Sequence, residues 1–318
     1  MTQCVCGALA AQGAAKCDVC GRDLTRSAPH RSVVLAGKWR IERTLGHGGM
    51  GVVYLATDVA LGRRVALKRL HPHFAKDEQA VKRLLREARV LARLDHPNLV
   101  PIHAVEVEDG VPMLAMKFVE GQTLGALLAE RGKLSVKELV PLTKQLCDGC
   151  SFLHRQGFVH RDLKPSNVLV QPDGRVVLLD FGLARPVKGG AQLTDPGAIV
   201  GSAPYMSPEQ VESQPVDQRS DLFSLCTLLW EALAGQRAYP GSAPLSMVAR
   251  LKGPPKLVSE VEPTVPVALA QVINRGLARN PAERFDDFEA FAKEFAAAAR
   301  VESENTQDDT TSTGPLAR

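Results

Sequence analysis

The chain has 318 residues, of which 45% are hydrophobic and 23% are charged, and its 39 Lys and Arg against 35 Asp and Glu give a formal net charge of +4. This composition excludes a chain that is disordered throughout, and the length allows two domains or one large domain with appendages. The small surplus of positive charge gives no reason to expect nucleic acid or an anionic membrane as a partner.

The sequence has no segment that is typical of membrane insertion or export. Its best candidate for a membrane span, residues 222–235, is shorter than a spanning helix needs and is interrupted by Glu231. The N-terminus lacks the basic region and the apolar stretch of a secretion signal. We therefore expect no membrane span and a cytoplasmic location, in which thiols stay reduced.

Four of the seven cysteines lie in the first 20 residues and form two close pairs, Cys4 with Cys6 and Cys17 with Cys20. In a reducing compartment, such pairs favour four thiolate ligands of one structural Zn²⁺ over disulfides. The second pair has the CxxC spacing, and the first resembles the CxxCG of a zinc-ribbon knuckle, with Gln3 where that pattern has a cysteine. The sequence therefore predicts a zinc knuckle over residues 1–24, which would offer a surface to a regulatory partner. The alternative is a tail with reactive thiols.

Changes in composition mark the ends of a central body. Residues 25–37 are polar and basic, which is typical of a linker. Residues 299–318 are rich in Ser, Thr, Asp and Glu and poor in large apolar side chains, so we expect a disordered acidic tail. Between them, residues 38–298 form one continuous body without an internal repeat.

The body opens with apolar and β-branched runs at 39–42, 52–56 and 64–68, which predict β-strands. Between the first two lies a GxGxxGxV segment, made of Leu45, Gly46, His47, Gly48, Gly49, Met50, Gly51, Val52 and Val53. A dinucleotide-binding fold also uses GxGxxG, but its loop leads into a helix, whereas a β-branched run follows this one. A strand-loop-strand flap over phosphates is favoured, because glycines let backbone N–H groups approach phosphate oxygens.

The residues Lys68 and Glu87 come from neighbouring predicted elements. Lys68 lies on the third strand, and Glu87 lies on a helix that the apolar spacing predicts over residues 76–94. A glutamate beside an apolar stripe is often only solvated. If the two residues pair, the Glu87 carboxylate would fix the position of the Lys68 ammonium group, and this group would hold a phosphate.

The most specific motifs lie further along the body. HRDLKPSN runs over residues 160–167, LDFG over 179–182 and SPE over 207–209. They resemble the HRDLKPxN, DFG and APE motifs of the eukaryotic-type serine/threonine protein kinases of bacteria. With the glycine loop and the strand that carries Lys68, five motifs stand in the order that this family has.

The resemblance extends over residues 38–298. It implies an α+β, bilobal protein kinase fold, with a small β-rich N-lobe over residues 38–116 and a larger α-helical C-lobe over residues 120–298. It also implies that ATP binds in the cleft between the lobes. The zinc knuckle would be an appendage to this kinase domain.

The resemblance implies a role for each motif residue. Asp162 would orient the attacking hydroxyl and accept its proton, and Lys164 would stabilise charge on the transferring γ-phosphoryl group. Lys68, held in place by Glu87, would bind the α- and β-phosphates of ATP. The ligands of Mg²⁺ or Mn²⁺ would be Asn167 and Asp180.

Residues 113–121 resemble the hinge between kinase lobes. Met116 would stand at the gatekeeper position, where a methionine is otherwise ordinary core, and the Lys117 carbonyl and the Val119 amide would face the adenine. The family usually has an acidic residue in place of Lys117. Because the adenine contacts are backbone atoms, this departure should change surface charge more than nucleotide binding. The resemblance also implies adenine contacts from Ala66 and Leu169.

The resemblance implies a regulatory role for three residues, Arg161, Thr194 and Ser202. Members of the family commonly use the arginine before the catalytic aspartate to hold a phosphate on the activation segment. We hypothesise that phospho-Thr194 pairs with Arg161. Ser202 stands where the family usually has a threonine that contacts the catalytic aspartate and lysine and marks Ser/Thr specificity.

Other matches are implied to be architectural. Glu209 would pair with Arg284, and Asp221 would hold the backbone of the catalytic loop. Cys147 and Cys150 form a CxxC on a predicted helix, and small apolar packing explains them as well as a redox or metal role does.

The sequence therefore predicts a serine/threonine protein kinase that uses Mg-ATP, phosphorylates protein substrates and autophosphorylates on its activation segment. Two alternatives remain open. A small-molecule phosphotransferase shares the fold but usually lacks the APE element and the HRDLKP run. A catalytically silent scaffold, with the zinc knuckle as its binding surface, would typically have lost Lys68, Asp162 or Asp180, and all three are present.

Overall fold

A computed structural model describes residues 2–3, 9–10, 33–48, 51–72, 78–180 and 203–305 of the chain. Near the N-terminus, β1 (Thr2–Gln3) pairs antiparallel with β2 (Leu9–Ala10). The described chain divides into two compact units, one up to Glu120 and the other from Gly121.

The first unit is built on a six-stranded antiparallel sheet. Its strands are β3 (Val34–Leu35), β4 (Trp39–Gly48), β5 (Gly51–Asp58), β6 (Arg64–Leu70), β7 (Ile102–Glu108) and β8 (Val111–Lys117). They stand in the order β3-β4-β5-β6-β8-β7, and helix α1 (Glu78–Leu91) packs against β7 and β8. Alternate side chains of the strands form a buried core that includes Tyr54, Leu67 and Met113.

The three strands and the helix predicted for this unit are confirmed. Each of the three predicted strands is present and is longer than its sequence pattern indicated. The glycine segment joins two strands, since β4 ends at Gly48, β5 begins at Gly51, and these two glycines pair across the ladder. The predicted helix is α1, which ends at Leu91 and gives way to a turn.

Strand β3 lies inside the segment that was predicted to be a linker, residues 25–37. It pairs with the start of β4 across a tight turn, in which Ala36 and Gly37 have positive φ angles of 48° and 64°. Leu35 is buried in the same core cluster as Trp39. The predicted linker therefore contributes a strand to the sheet of the first unit. Two residues are too few to show the alternation by which a strand is recognised in a sequence.

The second unit is largely helical. Its helices are α2 (Leu124–Arg131), α3 (Val136–Arg155), α4 (Pro208–Val211), α5 (Gln218–Ala234), α6 (Ala243–Lys252), α7 (Val258–Val261), α8 (Val267–Gly276) and α9 (Phe288–Asn305). A small antiparallel sheet, in the order β11-β10-β9, consists of β9 (Gln122–Thr123), β10 (Val168–Val170) and β11 (Val176–Leu178). Helix α5 is buried along nearly its whole length, and α3, α7 and α8 pack against it. It therefore forms the centre of this unit.

Helix α3 begins at a capping box. The Glu138 carboxylate accepts the Ser135 backbone N–H at 3.0 Å and the Ser135 hydroxyl at 2.7 Å, and the Ser135 hydroxyl accepts the Glu138 N–H. These bonds satisfy backbone donors that the first turn of a helix leaves unpaired. The cap sets where α3 starts, and the helix then runs on to His154 and Arg155.

The second unit contains three free, buried cysteines: Cys147, Cys150 and Cys226. Burial raises the pKa of each thiol, which leaves little thiolate for metal binding or oxidation. Cys226 lies against Gly276 of α8, where an added Cβ would stand 2.2 Å from the cysteine sulfur. The glycine thus allows α5 and α8 to approach closely. Packing therefore explains these cysteines better than a redox or metal role.

Helix α9 continues to Asn305, past residue 299, at which the sequence predicts the start of a disordered tail. Once a helix has formed, extending it is easier than starting it, and Glu302 and Glu304 are good helix formers. Residues 306–318 lie outside the described residues. None of the described helices is long and apolar enough to cross a membrane.

Candidate active site

The side chains of the HRDLKPSN motif bind one another. Lys164 Nζ lies 2.8 Å from Asp162 Oδ2, and Asn167 Nδ2 donates to the same oxygen at 3.0 Å. The Asn167 amide also donates to the Asp162 backbone carbonyl at 2.8 Å. The side chains of Asp162 and Lys164 are only 11% and 16% exposed, so water and salt screen this pair less than a surface pair. Two neighbouring motif residues therefore orient the Asp162 carboxylate.

The backbone of this loop is held by a carboxylate of helix α5. Asp221 is fully buried, and it accepts the His160 N–H at Oδ2, at 2.6 Å, and the Arg161 N–H at Oδ1, at 2.7 Å. His154 Nε2, at the end of α3, lies 2.8 Å from Asp221 Oδ2. Burial alone would raise the pKa of Asp221, but the hydrogen bonds from His154 and from the loop backbone outweigh burial and lower it. Asp221 is therefore ionised at neutral pH and holds the loop through charge-assisted hydrogen bonds.

Two residues of the predicted catalytic motifs have a left-handed backbone. The φ angle is 63° at Arg161 and 52° at Asp180. Such a conformation costs on the order of 1 to 3 kcal/mol for a residue with a side chain and persists where neighbouring contacts impose it. The Arg161 N–H is held by Asp221, and the N–H of Leu179, just before Asp180, donates to the Asn167 carbonyl at 2.8 Å.

His160 joins the HRD motif to the chain before Asp180. Its Nε2 lies 3.0 Å from the Leu179 carbonyl oxygen, and its Nδ1 accepts the Asp162 N–H at 3.3 Å. A ring that accepts at Nδ1 and faces a carbonyl oxygen at Nε2 fits the tautomer with a proton on Nε2. The histidine therefore acts as a buried connector between two motifs.

Asn167 and Asp180 suit a magnesium ion by the chemistry of their donors. The Asn167 amide nitrogen is committed to Asp162, which leaves the amide oxygen as the donor atom toward a cation. This oxygen and the Asp180 carboxylate are the hard ligands that Mg²⁺ takes together with water and substrate phosphates. Among the described residues, no group of three or more His, Cys, Asp or Glu could hold a metal by itself. Two protein ligands fit a cation that the substrate helps to bind.

In the first unit, four residues predicted to bind nucleotide share one face of the sheet. Val53 stands opposite Lys68 in the strand register, and Ala66 stands opposite Met116. Ala66 and Lys68 are two positions apart on β6, so their side chains leave the same face, while Leu67 is buried on the other. Further predicted nucleotide-binding residues lie at the facing ends of β4 and β5, namely Leu45, Gly46, His47, Gly48, Gly51 and Val52.

The other residues predicted to bind nucleotide are spread over several elements. Glu87 lies partly buried on α1, and its pairing with Lys68 stays a prediction. Lys117 ends β8 with an exposed side chain, and Val119 follows it. Leu169 lies on β10 in the second unit. The Lys117 side chain lies at the surface, and the effect of its charge on nucleotide binding stays a prediction.

The anchoring of residues 203–205 was not apparent from the sequence. Arg250 of α6 is fully buried and donates to the Ala203 carbonyl and, at 2.9 Å, to the Pro204 carbonyl. The Tyr205 hydroxyl donates to Glu231, and burial raises the pKa of both groups. The one sequence signal for such an anchor is an arginine on the buried side of a helix, which says nothing of its partners.

The structure brings Glu209 and Arg284 together. Several predicted site residues lie outside the described residues, so the statements about them stay predictions. They are Gly49 and Met50 of the glycine loop, Thr194 and Ser202 of the activation segment, and Cys4, Cys6, Cys17 and Cys20 of the predicted zinc knuckle.

A family model described as the protein kinase domain matches residues 39–296. The chain belongs to the protein kinase family. It is 38% identical over 276 residues to the serine/threonine-protein kinase PknL of Mycobacterium tuberculosis, an alignment that covers 84% of this chain and 69% of PknL. Its alignment with PknA of the same organism is 34% identical over 275 residues and covers 85% of this chain and 63% of PknA.

A solved structure supports the same assignment. The crystal structure of the M. tuberculosis PknI kinase domain matches with a TM-score of 0.69 and 30% sequence identity, covering 86% of this kinase and 99% of that chain. The predicted protein kinase fold, with a β-sheet N-lobe and a helical C-lobe, is therefore confirmed. The predicted activity is confirmed as well: this chain is a serine/threonine protein kinase, an activity that involves ATP, a divalent metal ion and protein substrates.

Proposed function

We propose that this kinase transfers the γ-phosphoryl group of ATP to serine and threonine hydroxyls of proteins with Asp162 as the general base. The observation that carries the proposal is the pair of hydrogen bonds to Asp162 Oδ2, from Lys164 at 2.8 Å and from Asn167 at 3.0 Å. They orient the carboxylate before a substrate arrives. Phosphoryl transfer depends mainly on such positioning and on charge stabilisation.

In the proposed step, the substrate hydroxyl gives its proton to Asp162 while its oxygen bonds to the γ-phosphorus, and the bond from that phosphorus to ADP breaks. Lys164 stabilises the negative charge on the transferring group. When bound, Mg²⁺ or Mn²⁺ neutralises charge on the phosphates, and Asn167 and Asp180 would be its protein ligands.

Nucleotide binding is assigned to the shared face of the first unit's sheet. Lys68 would bind the α- and β-phosphates with Glu87 as its positioning partner, and backbone N–H groups of the glycine segment would cover them. Ala66 and Met116 are paired on the same face as Lys68, where they offer apolar surface to the adenine. The strand register supports this assignment, because it brings residues from three strands to one side of the sheet.

The activation segment is proposed to regulate the kinase through autophosphorylation of Thr194. A phosphate there would pair with Arg161, and the left-handed backbone of that residue is already held by Asp221. We expect Thr194→Ala to lower activity and phosphopeptide mapping of active wild-type protein to find phosphate on Thr194. Undiminished activity of Thr194→Ala would contradict this part of the proposal.

The experiment that tests the catalytic assignment measures transfer from radiolabelled ATP with Mg²⁺ to casein as a generic acceptor protein. We expect Asp162→Asn to lower the rate about 10²- to 10⁴-fold, the range for loss of general base catalysis. Asp148→Asn is the matched control, since Asp148 pairs with Lys144 at 2.7 Å on the exposed side of α3. Equal incorporation by wild type and Asp162→Asn would overturn the assignment.

Residues 1–24 are proposed to form a zinc knuckle that binds a regulatory partner. The spacing of the four cysteines supports it, as does the pairing of Gln3 with Leu9, which brackets the first cysteine pair. For so short a segment, metal binding would supply most of the folding free energy. A cytoplasmic location is proposed as well, and the spacing of the cysteines supports it because close pairs fit metal ligands better than disulfides.

Zinc analysis of the full chain tests the knuckle. We expect about one equivalent of zinc in the wild type and its loss in the double variant Cys17→Ser with Cys20→Ser. Cys226→Ala is the control, because that cysteine is buried in the helical unit. The proposal fails if the wild type binds no zinc or if the double variant retains it.

A further inference from the structure

The peptide group between Arg161 and Asp162 is held at both of its polar atoms. Its carbonyl oxygen accepts a hydrogen bond from Gln210 Nε2 at 3.0 Å, and its N–H donates to His160 Nδ1 at 3.3 Å. The N–H of Arg161, in the preceding peptide group, donates to Asp221 Oδ1 at 2.7 Å. Side chains from three places in the sequence therefore fix the backbone just before Asp162.

Gln210 reaches Arg161 from helix α4, and the other end of its amide is also engaged. Gln210 Oε1 accepts the Ser207 backbone N–H at 3.0 Å and so completes the capping box of α4. Because the amide oxygen faces this N–H, the amide nitrogen faces the Arg161 carbonyl. Ser207 lies just after the segment 203–205, so Gln210 connects that part of the chain to the catalytic loop.

The conformation of Arg161 makes this contact important. Its φ of 63° lies in a region that a residue with a long side chain adopts only where its surroundings impose it. If the Arg161 carbonyl is released, the peptide group that follows can rotate. Rotation about the bonds on either side of this group changes the direction in which the Asp162 side chain leaves the backbone.

We infer that Gln210 is a positioning residue of the kinase reaction, which aims the Asp162 carboxylate by holding the Arg161 carbonyl. The inference rests on the proposed role of Asp162 as the general base. Gln210 acts through the backbone, so its loss should lower kcat while KM for ATP stays the same. A residue that only capped α4 would change stability and leave kcat unaffected.

The test compares Gln210→Glu with Gln145→Glu in the full chain. A glutamate at position 210 keeps the capping acceptor, since a capping box takes Glu or Gln, but it loses the donor to the Arg161 carbonyl. Gln145 is a matched control with contacts between β10 and the start of β11. Its Nε2 donates to the Gly174 carbonyl at 3.0 Å, and its Oε1 accepts the Val176 N–H at 2.9 Å. Gln145 Nε2 also donates to the Pro141 carbonyl, at 3.4 Å. Both substitutions therefore remove an amide group that donates to backbone carbonyls.

Initial rates with radiolabelled ATP, Mg²⁺ and casein give kcat and KM for ATP, and thermal unfolding gives Tm. We expect kcat of Gln210→Glu to fall about ten- to a hundred-fold, the effect of a misplaced catalytic group, with KM for ATP unchanged. Gln145→Glu should keep the wild-type kcat at a comparable Tm. A wild-type kcat in Gln210→Glu would overturn the inference. If that variant does not fold, Gln210→Ala against Gln145→Ala decides by the same comparison.

Asp162→Asn is measured in parallel, so that two different failures can be told apart. If Asp162→Asn keeps wild-type activity, the proposed base role is wrong and the inference about Gln210 falls with it. If Asp162→Asn is inactive and Gln210→Glu is fully active, the base role stands and only the inference about Gln210 is wrong.

Discussion

Glu209 and Arg284 form a bidentate ion pair in the interior of the second unit, with Nη1 2.8 Å from Oε1 and Nη2 2.9 Å from Oε2. Ser220 Oγ adds a hydrogen bond to Glu209 Oε1 at 2.5 Å, and Arg284 Nε donates to the Ala278 carbonyl at 2.8 Å. Burial alone would raise the pKa of Glu209, but the hydrogen bond and the charge of Arg284 lower it by more. The pair joins the start of α4 to the chain that leads into α9.

Removal of one partner of this pair should destabilise the fold strongly. Glu209→Ala leaves the Arg284 charge buried without a counter-ion, and we expect a loss of about 3 to 5 kcal/mol in the free energy of unfolding. The control is Glu289→Ala. Glu289 pairs with Arg155, and the two side chains are 70% and 60% exposed, respectively. An exposed pair contributes less than about 1 kcal/mol. Urea denaturation measures both variants, and equal losses would contradict the prediction.

The carboxylate that caps α3 should make stability depend on pH in acid. The pKa of Glu138 is lowered from 4.5 to about 2, first by the Ser135 hydroxyl, then by the Ser135 N–H and by Arg131. A carboxyl whose pKa is lower in the folded than in the unfolded chain adds stability above the unfolded pKa, and this stability is lost as the pH falls through the folded pKa. The urea midpoint of the wild type should therefore approach that of Glu138→Gln as the pH is lowered from about 7 to about 3. A difference that stays constant over this range would refute the prediction.

Arg250→Lys should release at least one of the two carbonyls that the guanidinium holds. Burial lowers the pKa of Arg250 to about 10, so the side chain is charged at neutral pH and the change keeps the charge. A lysine ammonium lacks the two guanidinium nitrogens that donate to the Ala203 and Pro204 carbonyls. A buried carbonyl left without a donor costs about 1 to 3 kcal/mol in the free energy of unfolding. We expect a lower Tm in thermal unfolding and a smaller free energy of unfolding in urea. Arg175→Lys, at a side chain that is 55% exposed, should change neither quantity.

Gly276→Ala should destabilise the contact between α5 and α8. An added Cβ would stand 2.2 Å from Cys226 Sγ, and overpacking of this kind costs about 1 to 3 kcal/mol. Cys226→Gly removes the obstructing side chain. The double variant should therefore lose less free energy of unfolding than the sum of the two single losses, by about 0.5 to 3 kcal/mol.

Gly125→Ala is the matched control. Gly125 lies in helix α2, and the nearest atom to an added Cβ there would be 3.5 Å away, which is an ordinary contact. Alanine at this position should therefore stabilise the fold by about 0.5 to 1 kcal/mol. Strictly additive losses at positions 226 and 276 would show that the two residues do not compete for space.

The sequence by itself determined the kinase fold and led to residues 160–167 as the proposed catalytic loop. Phosphoryl transfer needs a base, a cation and a metal ligand close together, and the residues proposed for these roles all lie within residues 160–167. Residues so close in sequence cannot lie far apart in space, and the structure joins the side chains of Asp162, Lys164 and Asn167. The strands β4 to β6 and helix α1 could also be predicted, because their apolar residues recur at the spacing that is typical of a strand or of a helix.

Only the tertiary structure decided which distant side chains support this loop. Gln210 and Arg161 are 49 positions apart, and Arg250 and Ala203 are 47 positions apart. In both contacts a side chain donates to a backbone carbonyl. A carbonyl is present at every residue, so no sequence pattern marks the one that will accept. Strand β3 could not be predicted for a related reason, because its two residues become a strand only by pairing with the edge of β4. Folding selects these partners, because only the packed elements bring one particular acceptor within reach of each donor.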